Sequence, residues 1–425
     1  MNQCPWFCIA LLLIAALSVS CESPTHESRH GAATPRSESG ALDLASEWPF
    51  EGPPRLWARA LGPGYSGIVV NEDRLYTMYR SGSSEVVICL DAGTGETVWE
   101  HGYVSMPAEG QDTDYGEGPN AAPLLADGRL CTIGFAGVMH CLDPATGEVL
   151  WSHDLRSELG GNVVELGYSA SPVEYADTII ALVGGRGQGA VAFDKQDGHI
   201  VWKNLDFEAS YATPAIMRIH GEDHLVAFMA TEVVGADPGT GELLWKYAIR
   251  NQYPQNICAP IQVDEDLVFI STGEAGSRGL QLVKDDAYRV EELWSTTRVQ
   301  CFYGSFALVG DTIYGTSGFQ SGSRMSAINA RTGEIVWRVR GFNLSHVVAI
   351  GDLLVLLDDE GKLTLASPGP DGLEVHAKAR ILSSPALTPP TLHGTVLYVR
   401  DQREIVALEL ALSNRTKPAG PPHLE

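Results

Sequence analysis

The sequence predicts an all-β chain closed into a single ring of eight four-stranded blades, a β-propeller. Two ladders of residues, each counting eight, and the absence of any long helical period carry that expectation. The first ladder is a repeated phrase, clearest at Leu142-Asp143-Pro144-Ala145-Thr146-Gly147-Glu148-Val149-Leu150-Trp151. It recurs at 90–99, 193–202, 236–245 and 328–337, always with Asp or Asn eight residues before the Trp and Gly four before it.

Each position of the phrase has a physical task. The apolar residue ends one strand, the Asp or Asn side chain caps a turn, and Gly takes a backbone angle that side chains disfavour. The next strand runs x-apolar-apolar-Trp, so the unit is a hairpin with a four- to five-residue loop. One hairpin cannot bury a large indole alone, so a Trp at the same place in each predicts contact between neighbouring hairpins.

The aligned residues are Trp57, Trp99, Trp151, Trp202, Trp245, Trp294 and Trp337, spaced 42, 52, 51, 43, 49 and 43 apart. Such intervals match the ~40–50 residues of one propeller blade. Trp294 belongs to a degenerate copy without the Thr-Gly turn, and His376 stands in the Trp place of a further copy. These Trp residues are the expected blade-docking side chains.

The second ladder is a small or polar stretch before each blade body. It comprises Tyr65-Ser66-Gly67, Asn120-Ala121-Ala122-Pro123, 168–172, 211–214, 256–260, Tyr303-Gly304-Ser305, Leu344-Ser345-His346 and 382–385. Small residues at the start of a strand suit the crowded centre of a ring. Between the marks lie short alternating runs such as Leu75-Tyr76-Thr77-Met78-Tyr79 and Leu267-Val268-Phe269-Ile270. These read as strands, and no stretch keeps a helical period. About 365 residues in one domain is long, but a ring of repeats has a continuous core.

Taken in order, residues 1–21 read as a signal peptide: an apolar run at 9–17 too short to span a bilayer, then Ser18-Val19-Ser20-Cys21. That ending resembles a bacterial lipoprotein processing site and makes Cys21 the candidate lipid anchor, with an ordinary cleaved leader as the alternative. Residues 22–46, rich in Ser, His, Ala, Gly, Thr and Pro, read as a flexible tether. The propeller is assigned to 47–412 and a disordered tail to 413–425. The last strands lack a following Trp strand, so the strand at 55–61 is expected to complete the last blade and remove open edges.

A net charge of −24 without a basic patch argues against nucleic acid. Membrane association is expected through the anchor alone, and the ring is expected to be monomeric. Beyond Cys21 lie Cys89, Cys131, Cys141, Cys258 and Cys301. Cys131 and Cys141 either face one another across adjacent strands or sit as buried reduced thiols.

The repeated Leu-Asp-x-x-Thr-Gly-x-x-x-Trp phrase resembles the PQQ-like, quinoprotein-type propeller repeat over nearly all of 47–412. One branch of that family holds pyrroloquinoline-quinone (PQQ) dehydrogenases that oxidise alcohols or sugars with Ca²⁺. The other, BamB-like branch holds non-enzymatic lipoproteins that scaffold outer-membrane assembly. The dehydrogenases commonly carry adjacent cysteines beside the quinone, and this sequence has no Cys-Cys pair. It also lacks Cys-x-x-Cys-His, a His cluster of zinc spacing and a Gly-x-Ser-x-Gly elbow. The run Asp112-Thr113-Asp114-Tyr115-Gly116 begins like a Ca²⁺ loop but lacks the later acidic ligand. The Gly-rich 184–189 lies between strands and opens no helix, so it fails as a phosphate loop.

The expected function is therefore a protein- or peptide-binding scaffold of the periplasm or outer membrane, without catalytic residues, cofactor or metal. The alternative is a PQQ- and Ca²⁺-dependent dehydrogenase. The candidate binding residues are those expected at the mouth of the central channel: Tyr65, Asn120, Tyr168, Tyr211, Asn256, Tyr303 and His346. They either hold a peptide or sugar-like ligand or hydrogen-bond one another and trapped water.

Overall fold

A computed structural model describes residues 48–49, 51–318 and 322–411. The signal peptide, Cys21, the tether and the tail lie outside the described residues. Eight antiparallel four-stranded sheets follow one another as the blades of a propeller. Blades 1 to 7 occupy 69–104, 124–154, 173–207, 215–248, 261–296, 307–339 and 345–380, each with its strands in sequence order from the axis outward. Blade 8 takes three strands from 391–409 and its outermost strand, Arg55–Ala60, from the N-terminal side. That strand pairs with Glu404–Glu409, Ala58 opposite Val406, so the ring closes by hydrogen bonds between the two ends of the described chain.

The repeated phrase builds one turn five times. In blade 2, Asp143 Oδ1 accepts from the N–H groups of Ala145 (2.7 Å) and Thr146 (3.1 Å), while Gly147 N–H donates to Asp143 O at 2.8 Å. The same bonds recur around Asp91, Asp194, Asp237 and Asn329. Gly147 has a φ of +76°, and a Cβ on it would lie 2.5 Å from the Trp99 ring. The glycine is required twice, for the backbone angle and for the indole lying flat on it.

That contact is the lock between blades. Each Trp stacks on the turn of the next blade and donates its indole N–H to the carbonyl just after the capping residue. Trp57 reaches Ala92 O (2.9 Å), Trp99 Pro144 O (2.9 Å), Trp151 Lys195 O (3.1 Å), Trp202 Pro238 O (3.1 Å) and Trp294 Ala330 O (3.0 Å). Trp337 finds Gly369 O at 2.9 Å in the reshaped turn of blade 7. Trp245 is the exception, because blade 5 has no Thr-Gly turn; its N–H donates to His224 Nδ1 of its own sheet at 2.9 Å. His376 likewise stays on its own sheet, 2.6 Å from Ser367 Oγ. The reason is topological: blade 8 draws its outermost strand from the other end of the chain, so it has no turn there for a Trp to dock on.

Near the axis the small polar ladder stitches blades together. Ser66 Oγ donates to Ala121 O (2.8 Å), Ser171 Oγ accepts from Ala122 N–H (2.9 Å) and Thr213 Oγ1 accepts from Ser171 N–H (3.0 Å). At the closure, Thr388 Oγ1 donates to Tyr65 O at 3.1 Å. Fully buried Arg400 of blade 8 reaches Thr77 Oγ1 (3.0 Å), Met78 O (2.6 Å) and Gly62 O (3.1 Å), fastening the last blade to the first.

Candidate functional site at the channel mouth

The connection from blade 1 to blade 2, residues 105–118, crosses one end of the ring as a strap. Its two ends are held by one buried side chain. Arg80 donates from Nη1 to Ser105 O at 2.8 Å, and from Nε and Nη2 to Glu117 O at 3.0 and 2.8 Å. Beneath it lies Glu85, with no exposed surface, 3.7 Å from Arg80. Burial pushes its carboxyl above the usual range, against the pull of its donors. Those donors are Phe135 N–H at 2.9 Å and the Tyr103 hydroxyl at 3.0 Å. Arg80 and Glu85 face each other at the end of a hairpin, and both are buried.

The strap is tied along its length as well. Asp112 N–H donates to Glu165 O at 2.7 Å, and Gln111 Nε2 donates to Phe135 O (3.0 Å) and Val164 O (3.3 Å). Asp112 Oδ1 accepts from Asp114 N–H at 2.8 Å, so this carboxylate shapes its own turn. At the axis, Tyr65 donates its hydroxyl to Tyr115 O at 2.6 Å, and Tyr115 neighbours Tyr303, which precedes the first strand of blade 6. The strap therefore bridges the mouth from one side of the ring to the other. Burial raises the hydroxyl pKa of Tyr65, Tyr211 and Tyr303, so all three are neutral donors at neutral pH.

The seven residues singled out from the sequence divide by neighbourhood. Tyr65 and Tyr303 both neighbour Tyr115, and Tyr211 neighbours Tyr303. The Tyr211 hydroxyl accepts from Leu166 N–H at 3.2 Å. Asn120 donates to Leu166 O (2.9 Å) and Ser169 Oγ (3.1 Å). The other three are brackets inside the wall. Tyr168, 2% exposed, donates to Asn162 O (3.0 Å); Asn256, 0% exposed, donates to Met229 O (2.8 Å) and Ala230 O (3.0 Å). His346 Nε2 pairs with Leu387 O at 2.9 Å, and burial lowers its pKa to about 4. Sequence reasoning weighed Tyr115 only within a Ca²⁺-like run and passed over Arg80 and Glu85, since nothing local marks strand residues that a distant connection will cover.

On the solvent side the strap is apolar and acidic together. Met106 and Tyr115 are exposed, as are Val104 where the strap begins, Val163 on the adjoining segment and Tyr253 of the connection from blade 4 to blade 5. Glu109, Asp114, Glu117 and Glu165 stand among them. Beside Tyr303 lies a cavity of about 80 Å³ bordered by Tyr253, Phe302 and Cys301. A larger cleft of about 540 Å³ opens elsewhere, between blades 3 and 4, lined by Asp206, Phe207, Glu232 and Lys246. Among the described residues, Asp194, Asp197 and His199 alone bring three potential metal-ligand atoms together, on the exposed turn of blade 3. Asp194 there already accepts from Gln196 and Asp197 N–H, as the matching residue does in the other four turns.

Residues 83–338, from blade 1 through blade 6, match the family model described as outer membrane protein assembly factor BamB. The chain belongs to that family. Among solved structures it is similar to BamB from Moraxella catarrhalis, with 15% identity, a TM-score of 0.59, and 84% of this chain and 99% of that one covered. It is similar too to quinohemoprotein alcohol dehydrogenase from Comamonas testosteroni, with 14% identity, a TM-score of 0.57, and 88% and 78% covered. The computationally designed Ika8 protein shares the fold at 11% identity and a TM-score of 0.58, with 84% and 99% covered. No curated protein sequence matches the chain. At these identities the structural likenesses establish the fold, which hosts both BamB and dehydrogenases.

Proposed function

We propose that this BamB-family propeller is a non-enzymatic, exported scaffold of the cell envelope that binds a protein or peptide partner across the strapped mouth. The observation that carries the proposal is the strap itself. It covers the axial mouth and displays Met106 and Tyr115 to solvent among acidic residues. Exposed apolar side chains rimmed by charge are the chemistry of a protein-binding surface. With a net charge of −24, the chain favours a partner whose contacting face is basic and partly apolar. Family membership and the name of the BamB neighbour support the envelope role.

The quinone alternative finds a poor fit at this end of the ring. The cavity beside Tyr303 is about 80 Å³, whereas ligand pockets run to ~300–1,000 Å³. The triad of potential metal ligands is on the rim of blade 3, among residues engaged in their own turn. At the mouth the tyrosine hydroxyls bond backbone groups, and the acidic side chains Glu109, Asp114 and Glu117 of the strap are exposed to solvent. Export and anchoring rest on Cys21 and the leader before it.

Photo-crosslinking residues placed at Met106 or Tyr115 are expected to capture an envelope protein, while the same residue at Val336 on the outer edge does not. Stoichiometric binding of PQQ with Ca²⁺, and dye reduction on adding an alcohol or aldose, would overturn the proposal. Cys21→Ser is expected to release the protein from membranes; a variant that stays bound would refute the anchor.

A further inference from the structure

We propose that two pairs of cysteines, Cys131 with Cys141 and Cys258 with Cys301, close as disulfides during folding and leave Cys89 as the free thiol of the propeller. All five are buried thiols in this structure, and four of them are already in couples. Cys131 and Cys141 lie directly opposite in adjacent antiparallel strands of blade 2, with their sulfurs 2.9 Å apart. The ladder shows which kind of pair this is. Gly134 N–H donates to Val138 O at the hairpin end, and hydrogen-bonded pairs alternate from there. Three steps back, Cys131 and Cys141 form a non-hydrogen-bonded pair, where Cα atoms stand about 4.5 Å apart. That separation falls inside the ~4.4–6.8 Å that a disulfide spans. The bond would cross a single hairpin without moving its backbone.

The second couple joins different blades. Cys258 sits just before the innermost strand of blade 5, and Cys301 just before that of blade 6. Both are buried in one apolar cluster, where the neighbouring Cys258 thiol and burial together raise the Cys301 pKa, and Cys301 borders a small cavity beside Tyr303. A bond here would staple two blades at the channel mouth, beside Tyr303. Cys89, in blade 1, has no cysteine partner among the described residues and neighbours Tyr76.

The chemistry balances with an external disulfide oxidant, a small-molecule or protein disulfide. One cysteine thiolate attacks the oxidant, expelling a thiol and forming a mixed disulfide; the second thiolate displaces the other thiol. Each bond costs the protein two protons and two electrons, and the oxidant leaves as two thiols. Burial raises the Cys131 pKa, which suppresses the thiolate once the blade is packed, so the bonds form before packing is complete.

The test is refolding of the full-length chain from denaturant in a glutathione redox buffer, followed by quenching, alkylation and peptide mapping. The expected map has a 131–141 link and a 258–301 link, each lighter by two hydrogens than its reduced peptides, with Cys89 alkylated. In Cys131→Ser, Cys141 becomes alkylated and the 258–301 link persists; Cys258→Ser gives the converse. Alkylated Cys131 and Cys141 in the refolded wild type, or links from either to Cys89, would overturn the assignment. Melting supplies an independent readout. Reductant is expected to lower the wild-type melting temperature by several degrees and leave the Cys131→Ser/Cys258→Ser double variant unchanged. A wild type that melts alike with and without reductant overturns the proposal as well.

Discussion

The junction between blades 3 and 4 and the junction between blades 4 and 5 solve one packing problem in two ways. At the first, Trp202 lies on Gly241 and donates to Pro238 O, so one side chain engages the turn of the following blade. At the second, the following turn has lost its Thr-Gly, and Trp245 keeps its burial but turns its N–H to His224 within its own blade. The apolar surface of the indole is thus the invariant part of the lock, and the hydrogen bond is a local accommodation. This follows from magnitudes: burying an aromatic ring is worth several kcal/mol, whereas a neutral hydrogen bond contributes about 0.5–1.5 kcal/mol net.

Breaking the lock at a regular junction should give the largest effect. Trp151→Ala, which empties the space between blades 2 and 3, is expected to cost about 3–5 kcal/mol in denaturant unfolding. The turn side of the lock comes next. Gly147→Ala forces a Cβ to within 2.5 Å of the Trp99 ring at a φ of +76°. A loss of about 2–3 kcal/mol is expected, since left-handed strain and a clash add. Gly128→Ala is the control, with a similar φ of +71° but open space around the added carbon. It should cost only about 1 kcal/mol.

The irregular junction should be distinguished by its response to acid. Burial lowers the His224 pKa to about 4 in the folded protein, against about 6.5 when unfolded. The unfolded chain therefore binds a proton that the folded one refuses between these values. Stability contributed by neutral His224 is present above pH 6.5 and is lost as pH falls towards 4. His224→Gln should reduce the proton uptake on unfolding near pH 5 by about one, measured from the slope of stability against pH. His140 and His346, also lowered to about 4 by burial, should leave a residual slope. A Gln variant with the wild-type slope would show that the Trp245–His224 pair does not respond to acid.

The smallest effect is expected at the mouth. Tyr303→Phe removes the hydroxyl that meets Tyr115 and should change global stability by less than about 1 kcal/mol. Faster amide exchange in the strap, with the blades unchanged, would mark Tyr303 as its far anchor. Unaltered exchange would assign the anchoring to Arg80, Gln111, the Asp112 backbone and Tyr65.

Legibility differed between the same regions. The phrase ending in Trp151 announced its turn, its strand and its contact, because capping, the left-handed glycine and indole burial are short-range demands written in ten residues. Degenerate copies were visible as gaps, yet the partner taken up by Trp245 was not. His224 lies 21 positions away, and its orientation depends on what the neighbouring blade fails to offer. The candidate site was legible in part. Tyr65, Tyr211 and Tyr303 each lie four residues before an innermost strand, whereas Tyr168 and Asn256 lie five before theirs and turn into the wall.

The sequence by itself determined the number of blades, the hairpin geometry and the supply of the closing strand from the N-terminal side. Each follows from a periodic local pattern and from the count of strands left over. Only the tertiary structure decided that 105–118 would cross the mouth, that Arg80 and Glu85 would be buried under it, and that Cys258 would meet Cys301. Those contacts join residues 25 or more positions apart, and they are set by how the ring curves rather than by any preference of the segments concerned.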